Sequence, residues 1–184
     1  MNLDDVLDIL ARLDAAHIEW WVDGGWGVDA LLGEETRPHD DLDLAVRREA
    51  IERLPALFPE FTRVAEEWWP ARFVLRDSAG RQIDFHPLTF DARGDGWQEL
   101  LDGTRGRYPA PGLGGRGRIG ARDVRCVTPE LQLQHHDYPT PDDVDWSDVW
   151  VLCERFNLMA PSAYKTRPGF IDQRRVRAAP RVTR

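Results

Sequence analysis

Two aspartates separated by one residue, Asp41 and Asp43, lie in the segment DDLDLAV, whose alternation of polar and apolar residues predicts a β-strand. On a strand, residues two apart project from the same face, about 6.5 to 7 Å apart along the backbone. Two unpaired carboxylates repel each other unless a cation lies between them, and carboxylate oxygens are ligands that suit Mg²⁺. The pair therefore indicates either a magnesium site or a strand end at which both acids face water.

A glycine pair, Gly24 and Gly25, lies about 16 residues before the aspartates, between a predicted strand and a predicted helix. Glycines leave backbone N–H groups uncovered, and uncovered amides at the start of a helix bind phosphate. A phosphate site followed by a two-carboxylate strand predicts binding of a nucleoside triphosphate, because a metal held by the acids bridges the phosphates. Arg37 and His39, just before the acidic strand, are either phosphate contacts or solvated loop residues.

A third acid, Asp84, lies in the middle of the strand-like segment RQIDFHPL, between two large apolar residues. An acid at such a position is disfavoured unless it is paired or functional. If this strand neighbours the strand of Asp41 and Asp43, the three carboxylates form a two-metal site, or a one-metal site with a general base. His86 shares the face of Asp84 and either orients it, contacts the substrate or is a half-buried structural histidine.

The apolar pattern of the other segments predicts the elements that position these residues. Asn2 is a plausible cap for a first, amphipathic helix, and Gly33 closes a second. The glycine-rich stretch 91–120 is predicted to be mostly loop. The predicted order is helix within 2–17, strand 18–22, helix 26–33, strand 40–46, helix 47–58, strands 61–69, 71–77 and 81–88, loop 91–120, strand 122–127, and two helices capped by Thr128 and Thr140.

The length of 184 residues and the charge distribution limit the class of protein. The first 164 residues carry 17 basic and 31 acidic side chains, which argues against a nucleic-acid partner and is compatible with a small cationic substrate. No apolar run is long enough for a membrane span, and the acidic N-terminus is unlike a signal peptide, so a cytoplasmic location is predicted. We expect a main domain at 1–127, a helical part at 128–160 and a basic, flexible tail at 161–184.

The glycine turn that opens a helix, the Asp-x-Asp strand and the third aspartate resemble the nucleotidyltransferase fold of the DNA polymerase beta superfamily. More narrowly, the chain resembles the lincosamide and aminoglycoside nucleotidyltransferases that inactivate antibiotics. This likeness covers about 3–158 and rests on the segments GGWGVDALLGEETRPHDDLDLAV, IDFHPLTFDARGDGWQ and CVTPELQLQHHDYPTPDDVDWSDVWVLCERF. The resemblance implies an α/β (α+β) fold with a mixed β-sheet flanked by helices, followed by a small helical C-terminal part.

By this resemblance, Asp41 and Asp43 would bind one or two Mg²⁺ ions, and Gly24 and Gly25 would bind the triphosphate of ATP or another NTP. Asp84 would serve as a third ligand or as the base toward the acceptor hydroxyl. The hydroxyl would attack the α-phosphorus and release pyrophosphate, with most of the rate coming from positioning and charge neutralisation. Relatives can be dimers, so the resemblance is compatible with a homodimer and leaves the oligomeric state open.

The resemblance points to further residues on the substrate side. Relatives resemble His-x-Gly-Tyr here; this chain keeps His135 and Tyr138 but has Asp137 in place of the glycine. Asp145 and Asp148 can share a helix face and hold an amine-bearing substrate. A solvated helix N-terminus explains the other acids of that segment equally well.

We therefore predict an enzyme that uses Mg²⁺ to transfer a nucleoside monophosphate, with AMP from ATP as the expected group, to a hydroxyl of an aminoglycoside or lincosamide. One alternative is a toxin-like nucleotidyltransferase that acts on a protein or a tRNA, although the acidic body disfavours a phosphate-rich acceptor. The other is a non-catalytic nucleotide-binding relative. The presence of all three acids weighs against that second alternative.

Overall fold

The structure, a computed structural model, describes residues 1–64, 66–137 and 140–166. The chain divides into two compact units, the first being Met1–Gln132 and the second beginning at Leu133. Tyr138 and most of the predicted basic tail lie outside the described residues. In the described ranges, every helix is too short or too polar to cross a membrane.

Helices and strands follow one another closely in the first unit. Short 3₁₀ helices occupy Arg48–Arg53, Glu66–Trp68, Ala110–Gly114 and, in the second unit, Ser162–Thr166. The remaining elements are α1 (Leu3–Ala15), β1 (Trp20–Asp23), α2 (Gly24–Leu32), β2 (Asp41–Arg47), α3 (Leu54–Leu57), β3 (Phe61–Val64), β4 (Phe73–Asp77), β5 (Gln82–Phe90), β6 (Gly96–Glu99), β7 (Arg105–Tyr108), β8 (Gly115–Ile119), β9 (Arg122–Cys126), α4 (Pro129–His135) and α5 (Asp143–Phe156).

The described residues form one nine-stranded sheet whose main path runs β3-β4-β5-β2-β1-β9-β8. β6 pairs with β5, and β7 pairs with β6. The pairs β2–β5 and β1–β9 are parallel, whereas the others are antiparallel. The predicted mixed sheet is therefore confirmed, and the strand of Asp84 does neighbour the strand of Asp41 and Asp43.

The two faces of the sheet bury different sets of side chains, and this places the acids. Leu42 and Leu44 of β2 belong to the larger apolar cluster, together with residues of α1, α2 and α3. Ala45 belongs to a smaller cluster on the opposite face. Because side chains alternate along a strand, Asp41 and Asp43 share the face of Ala45 and extend the smaller cluster into a polar region.

The sequence predicted the first two helices, although α2 begins at Gly24, two residues before its predicted start, and so includes the glycine pair. Asn2 caps α1 and forms a reciprocal capping box with Asp5. Asp23 caps α2, and the side chain of Asp23 accepts a hydrogen bond from the N–H of Gly24. Gly33 ends α2 in the left-handed conformation, with a φ of 79°, which glycine adopts without steric cost. The Asp23 cap fixes the start of α2, whose first turn carries the glycine pair.

The prediction that 91–120 is mostly loop is wrong, because this stretch contains β6, β7, a 3₁₀ helix and β8. Its glycines allow backbones to approach closely. A Cβ on Gly117 of β8 would overlap the carbonyl oxygen of Ala30 in α2, and one on Gly96 of β6 would lie 2.9 Å from Cδ1 of Leu88. β8 forms an edge of the sheet, with Arg116 and Arg118 alternating with glycines.

Three predicted element boundaries are also wrong. In the segment 47–58, Arg47 still belongs to β2, a 3₁₀ helix follows, and the chain becomes α-helical only at Leu54. The strand predicted at 61–69 ends at Val64. The last helix is capped by Asp142 instead of Thr140. The Asp142 side chain accepts hydrogen bonds from the N–H groups of Val144 and Asp145, which the Thr140-Pro141 pattern did not reveal.

The contact between β8 and α2 can be tested with Gly117→Ala. We expect this change to lower the free energy of unfolding by about 1–3 kcal/mol, because the new methyl group must push the two backbones apart. Gly114→Ala is the matched control, since a Cβ there meets open space, and its effect should stay within about 0.5 kcal/mol. Urea unfolding measures both. Equal stability of the two variants would contradict the close packing.

Candidate active site

Three acids lie side by side on neighbouring strands. Asp43 of β2 is in register with Asp23 of β1 on one side and with Asp84 of β5 on the other. Neighbouring strands are about 4.8 Å apart, so the three carboxylates are close neighbours. Asp84 is fully buried and Asp23 is almost so. Sequence reasoning identified Asp43 and Asp84 but missed Asp23, although its position directly before the glycine pair is that of a helix cap.

Asp41 stands beside this row on the same face of β2. Burial, followed by the charges of Asp43, Asp84 and Asp40, raises its pKa to about 6. Such a shift means that the folded protein resists a further negative charge at this place. A cation held by Asp41 and Asp43 would relieve the repulsion, so the chemistry of this pair suits Mg²⁺.

The glycine pair lies directly against these acids. Gly24 has a φ of 58°, and a Cβ at this residue would overlap Oδ2 of Asp43. Around Gly25, a Cβ would lie 2.5 Å from Nη2 of Arg37 and 2.5 Å from Nδ1 of His39. The first turn of α2 therefore meets a carboxylate oxygen on one side and two nitrogen-bearing side chains on the other. This arrangement brings the predicted phosphate site and the predicted metal site together.

His39 is buried, so the alternative of a solvated loop residue does not hold for it. Its Nε2 bonds to the buried carboxylate of Asp29, and its ring packs on Trp26 with centroids 4.7 Å apart. The same carboxylate accepts from the N–H and hydroxyl of Thr36. These contacts hold the Nδ1 edge of His39 over Gly25. Arg37 is half-buried, and its Nη1 lies 3.3 Å from the carbonyl oxygen of Pro38.

Asp84 has a polar partner at each oxygen. Nε2 of Gln82 donates to Oδ1 at 2.7 Å, and Nη1 of Arg72 donates to Oδ2 at 3.1 Å. Burial and the charge of Asp43 raise the pKa of Asp84, although Arg72 and Gln82 act in the opposite direction. The guanidinium of Arg72 also stacks on Trp68, 4.0 Å from the ring centroid. Sequence reasoning missed both Arg72 and Gln82. Arg72 lies twelve residues before Asp84 and outside any strand, whereas Gln82 lies two residues before Asp84 on the same strand, so its shared face could have indicated the contact.

His86 contacts Asp43 rather than Asp84. Its Nε2 lies 3.0 Å from Oδ1 of Asp43, and its Nδ1 lies 2.9 Å from Nε2 of Gln98. Burial lowers the pKa of His86, but the hydrogen bond to Asp43 and the charges of Asp43, Asp23 and Asp84 raise it above its usual value. These acids favour a second ring proton, whereas the Gln98 amide at Nδ1 disfavours one.

The carboxylates do not form a closed metal cage. Among the residues that the structure describes, no three acidic, histidine or cysteine side chains are arranged to hold a metal ion together. Asp41 and Asp43 are the pair suited to Mg²⁺, which usually takes its other ligands from water and substrate phosphates. Because both oxygens of Asp84 are engaged, its part as a third ligand stays a prediction.

The remaining candidates for substrate binding lie in the second unit, which begins within α4 and contains α5. His135 is half-buried at the end of α4. Asp145 accepts a hydrogen bond at 2.8 Å from the N–H of Asp142 and so completes the capping box of α5, and Asp148 is buried. The capping contact gives Asp145 a structural role. Substrate binding by His135, Tyr138 and Asp145 stays a prediction.

Comparisons with known proteins identify the family of this chain. The family model for aminoglycoside-2''-adenylyltransferase matches residues 5–152. A 2''-aminoglycoside nucleotidyltransferase from Klebsiella pneumoniae is 31% identical over 141 residues, which are 75% of this chain and 75% of that protein. A lincosamide resistance protein from Staphylococcus haemolyticus is 25% identical over 142 residues, 77% of this chain and 88% of that protein.

Two solved structures share the architecture. The lincosamide antibiotic adenylyltransferase LnuA, bound to lincomycin, has a TM-score of 0.73 at 23% identity and covers 83% of this chain and 96% of its own. ANT(2'')-Ia in complex with adenylyl-2''-tobramycin has a TM-score of 0.65 at 22% identity, and the match covers 84% of this chain and 88% of that chain. The predicted nucleotidyltransferase fold is thereby confirmed.

The crowding of carboxylates predicts that Asp41→Asn stabilises the metal-free protein. The folded-state pKa of Asp41 lies above its ordinary value of 3.8, so its ionisation costs stability as the pH rises through about 6. After allowance for solvent screening, we expect a gain on the order of 1–2 kcal/mol at pH 7.5 and none at pH 4.

Chemical denaturation at both pH values, with a chelator present, measures this difference. Mg²⁺ added with ATP should stabilise the wild type more than the variant. A variant that is less stable than the wild type at pH 7.5 would show that the carboxylate is compensated in the metal-free protein.

Proposed function

We infer that this chain, which belongs to the aminoglycoside-2''-adenylyltransferase family and is an enzyme of the antibiotic nucleotidyltransferase type, transfers AMP from ATP to a hydroxyl of an aminoglycoside or a lincosamide. The observation that carries the proposal is the contact between Asp43 and Gly24. It joins a carboxylate pair to the start of a helix, as binding of a metal–nucleotide complex requires.

The donor end of the site is assigned to β2 and the first turn of α2. Asp41 and Asp43 would hold Mg²⁺, which when bound neutralises charge on the triphosphate. The N–H groups near Gly25, with Arg37 and His39 beside them, would receive the phosphates. Because Asp29 and Trp26 already fix His39, its position needs little change on nucleotide binding.

Asp84 is assigned as the base toward the acceptor hydroxyl. Its pKa, raised by burial and by Asp43, makes it a better proton acceptor than an exposed aspartate. The acceptor oxygen would form the new bond to the α-phosphorus, the bond to pyrophosphate would break, and the hydroxyl proton would pass to Asp84. Since Oδ2 of Asp84 is covered by the partly exposed Arg72, the proposal requires the guanidinium to move aside when the acceptor binds.

The acceptor is proposed to be small and cationic. The excess of acidic side chains in the first 164 residues favours an aminoglycoside, whose amines are protonated at neutral pH. A lincosamide is the second candidate, because one relative is a lincosamide resistance protein. The predicted cytoplasmic location, where ATP is available, remains part of the proposal, which is also compatible with a homodimer.

Mass spectrometry of an antibiotic panel tests the proposal directly. Purified protein, Mg²⁺ and each of the four NTPs are incubated with aminoglycosides, lincosamides and unrelated hydroxylated antibiotics. We expect one acceptor class to gain the mass of one AMP. A gain on no acceptor would contradict the proposal, and the macromolecular alternatives can be tested with tRNA and protein acceptors.

The metal assignment predicts that Asp43→Asn lowers the rate of transfer by more than about 100-fold. Asp40→Asn is the matched control, since Asp40 is the neighbouring acid, is exposed and lies just before β2. The control should keep activity within about threefold of the wild type. Initial rates at saturating Mg²⁺ compare the two. Full activity of Asp43→Asn would contradict the assignment of Asp43 as a metal ligand.

The assignment of Asp84 predicts a separate effect on turnover. Asp84→Asn should lower kcat by about 10²–10⁴-fold, because the amide cannot accept the proton, with little change in the KM for ATP. Asp123→Asn, at an acid whose side chain is 89% exposed, controls for the change of net charge. Steady-state kinetics separate the two parameters. Equal losses in kcat and in ATP binding would assign Asp84 as a metal ligand instead.

A further inference from the structure

We propose that Gln98 is a positioning residue that acts through His86 to fix which oxygen of Asp43 faces the metal site. This inference rests on the proposed function, since it concerns the same metal site. Gln98 lies on β6, in the stretch that the sequence predicted as loop. Its role would be to orient a ligand that it does not itself touch.

The amide of Gln98 has only one favourable orientation. Its Nε2 donates to the carbonyl oxygen of Ala71 at 2.8 Å and to Nδ1 of His86 at 2.9 Å. Its Oε1 lies 3.3 Å from the hydroxyl of Tyr108, which can donate to it. The reversed amide would place Oε1 against the Ala71 oxygen, where two acceptors would repel each other. Gln98 is also buried, so water cannot easily replace these partners.

This orientation determines where His86 carries its proton. Because Gln98 donates to Nδ1, that nitrogen is the acceptor in the neutral ring, and the neutral ring carries its proton on Nε2. Nε2 then donates to Oδ1 of Asp43 at 3.0 Å. The other tautomer would set N–H against N–H at Gln98 and a lone pair against a carboxylate at Asp43. The glutamine therefore makes His86 a donor toward Asp43.

The hydrogen bond from His86 divides the two oxygens of Asp43 between two tasks. Oδ1 accepts a hydrogen bond from His86. Oδ2 faces the start of α2 and occupies the position that a Cβ on Gly24 would need. A carboxylate that is free to rotate would lose orientational entropy when it binds a metal, whereas one held by a hydrogen bond has already lost it. The Gln98–His86 pair would therefore raise the affinity of the site for a divalent cation.

The test uses the full chain with ATP and Mn²⁺, whose binding is followed by electron paramagnetic resonance. Gln98→Met keeps the length of the side chain but removes the donor, and it should weaken Mn²⁺ binding by about 10–100-fold. His86→Gln retains an N–H near the position of Nε2, so it should bind Mn²⁺ more tightly than His86→Ala. Thr89→Val is the matched control. It removes a hydrogen bond between the same two strands, β5 and β6, but Thr89 is not part of the chain of hydrogen bonds from Gln98 through His86 to Asp43.

A second readout is the ring tautomer of His86, measured by ¹⁵N NMR. In the wild type we expect the proton on Nε2, and in Gln98→Met a mixture of tautomers. Wild-type His86 with its proton on Nδ1 alone would overturn the inference, as would unchanged Mn²⁺ affinity in Gln98→Met or an equal loss in Thr89→Val. A wild type that neither binds Mn²⁺ with ATP nor transfers AMP would overturn the proposed function and the inference together.

Discussion

Repulsion between carboxylates is the constraint on which the arrangement of this protein depends. Strand pairing puts Asp23, Asp43 and Asp84 in one row, with Asp41 beside it, in a partly buried region where water screens charge poorly. Asp23, Asp43 and Asp84 each have donors placed against them, which come from Gly24 of α2, Gln82 and His86 of β5, Tyr108 of β7 and the loop residue Arg72. The pKa of Asp41 is nevertheless raised to about 6, and that of Asp84 is raised as well. Part of the repulsion therefore stays uncompensated, and a cation between Asp41 and Asp43 would relieve it.

The donors also connect the acids to one another. The hydroxyl of Tyr108 lies 3.3 Å from both Oδ2 of Asp23 and Oε1 of Gln98, and Gln98 leads through His86 to Asp43. These contacts form a chain that leads from Asp23 through Tyr108, Gln98 and His86 to Asp43, in which the one proton of the Tyr108 hydroxyl is available to either Asp23 or Gln98. In such a chain each partner restricts the orientation of the next, so removal of one member should affect the others more than independent hydrogen bonds would.

The sequence was sufficient for the parts of the site that depend on local pattern. The Asp-x-Asp spacing, the glycine pair and the mid-strand acid are local signals, and they located Asp41, Asp43, Gly24 and Asp84 correctly relative to the sheet. Arg72 and Gln98 gave no such signal, because their roles follow from contacts between distant segments. Gln82 was missed although it shares a strand face with Asp84. The stretch 91–120 was misjudged for a related reason. Its glycines suggested flexibility, whereas in the structure they permit close contact between backbones.

The arginines of β8 have a consequence for self-association. β8 ends the sheet, and an unpaired edge strand is the usual place for a second copy to add its own strand. Arg116 and Arg118 line this edge, and Arg118 is largely exposed. Two copies that approached through β8 would set positive charges against each other, which disfavours continuation of the sheet from one molecule to the next. The charges of Arg116 and of Arg118, whose Nε lies 3.6 Å from Oδ1 of Asp123, therefore act against edge-to-edge pairing of two copies at β8.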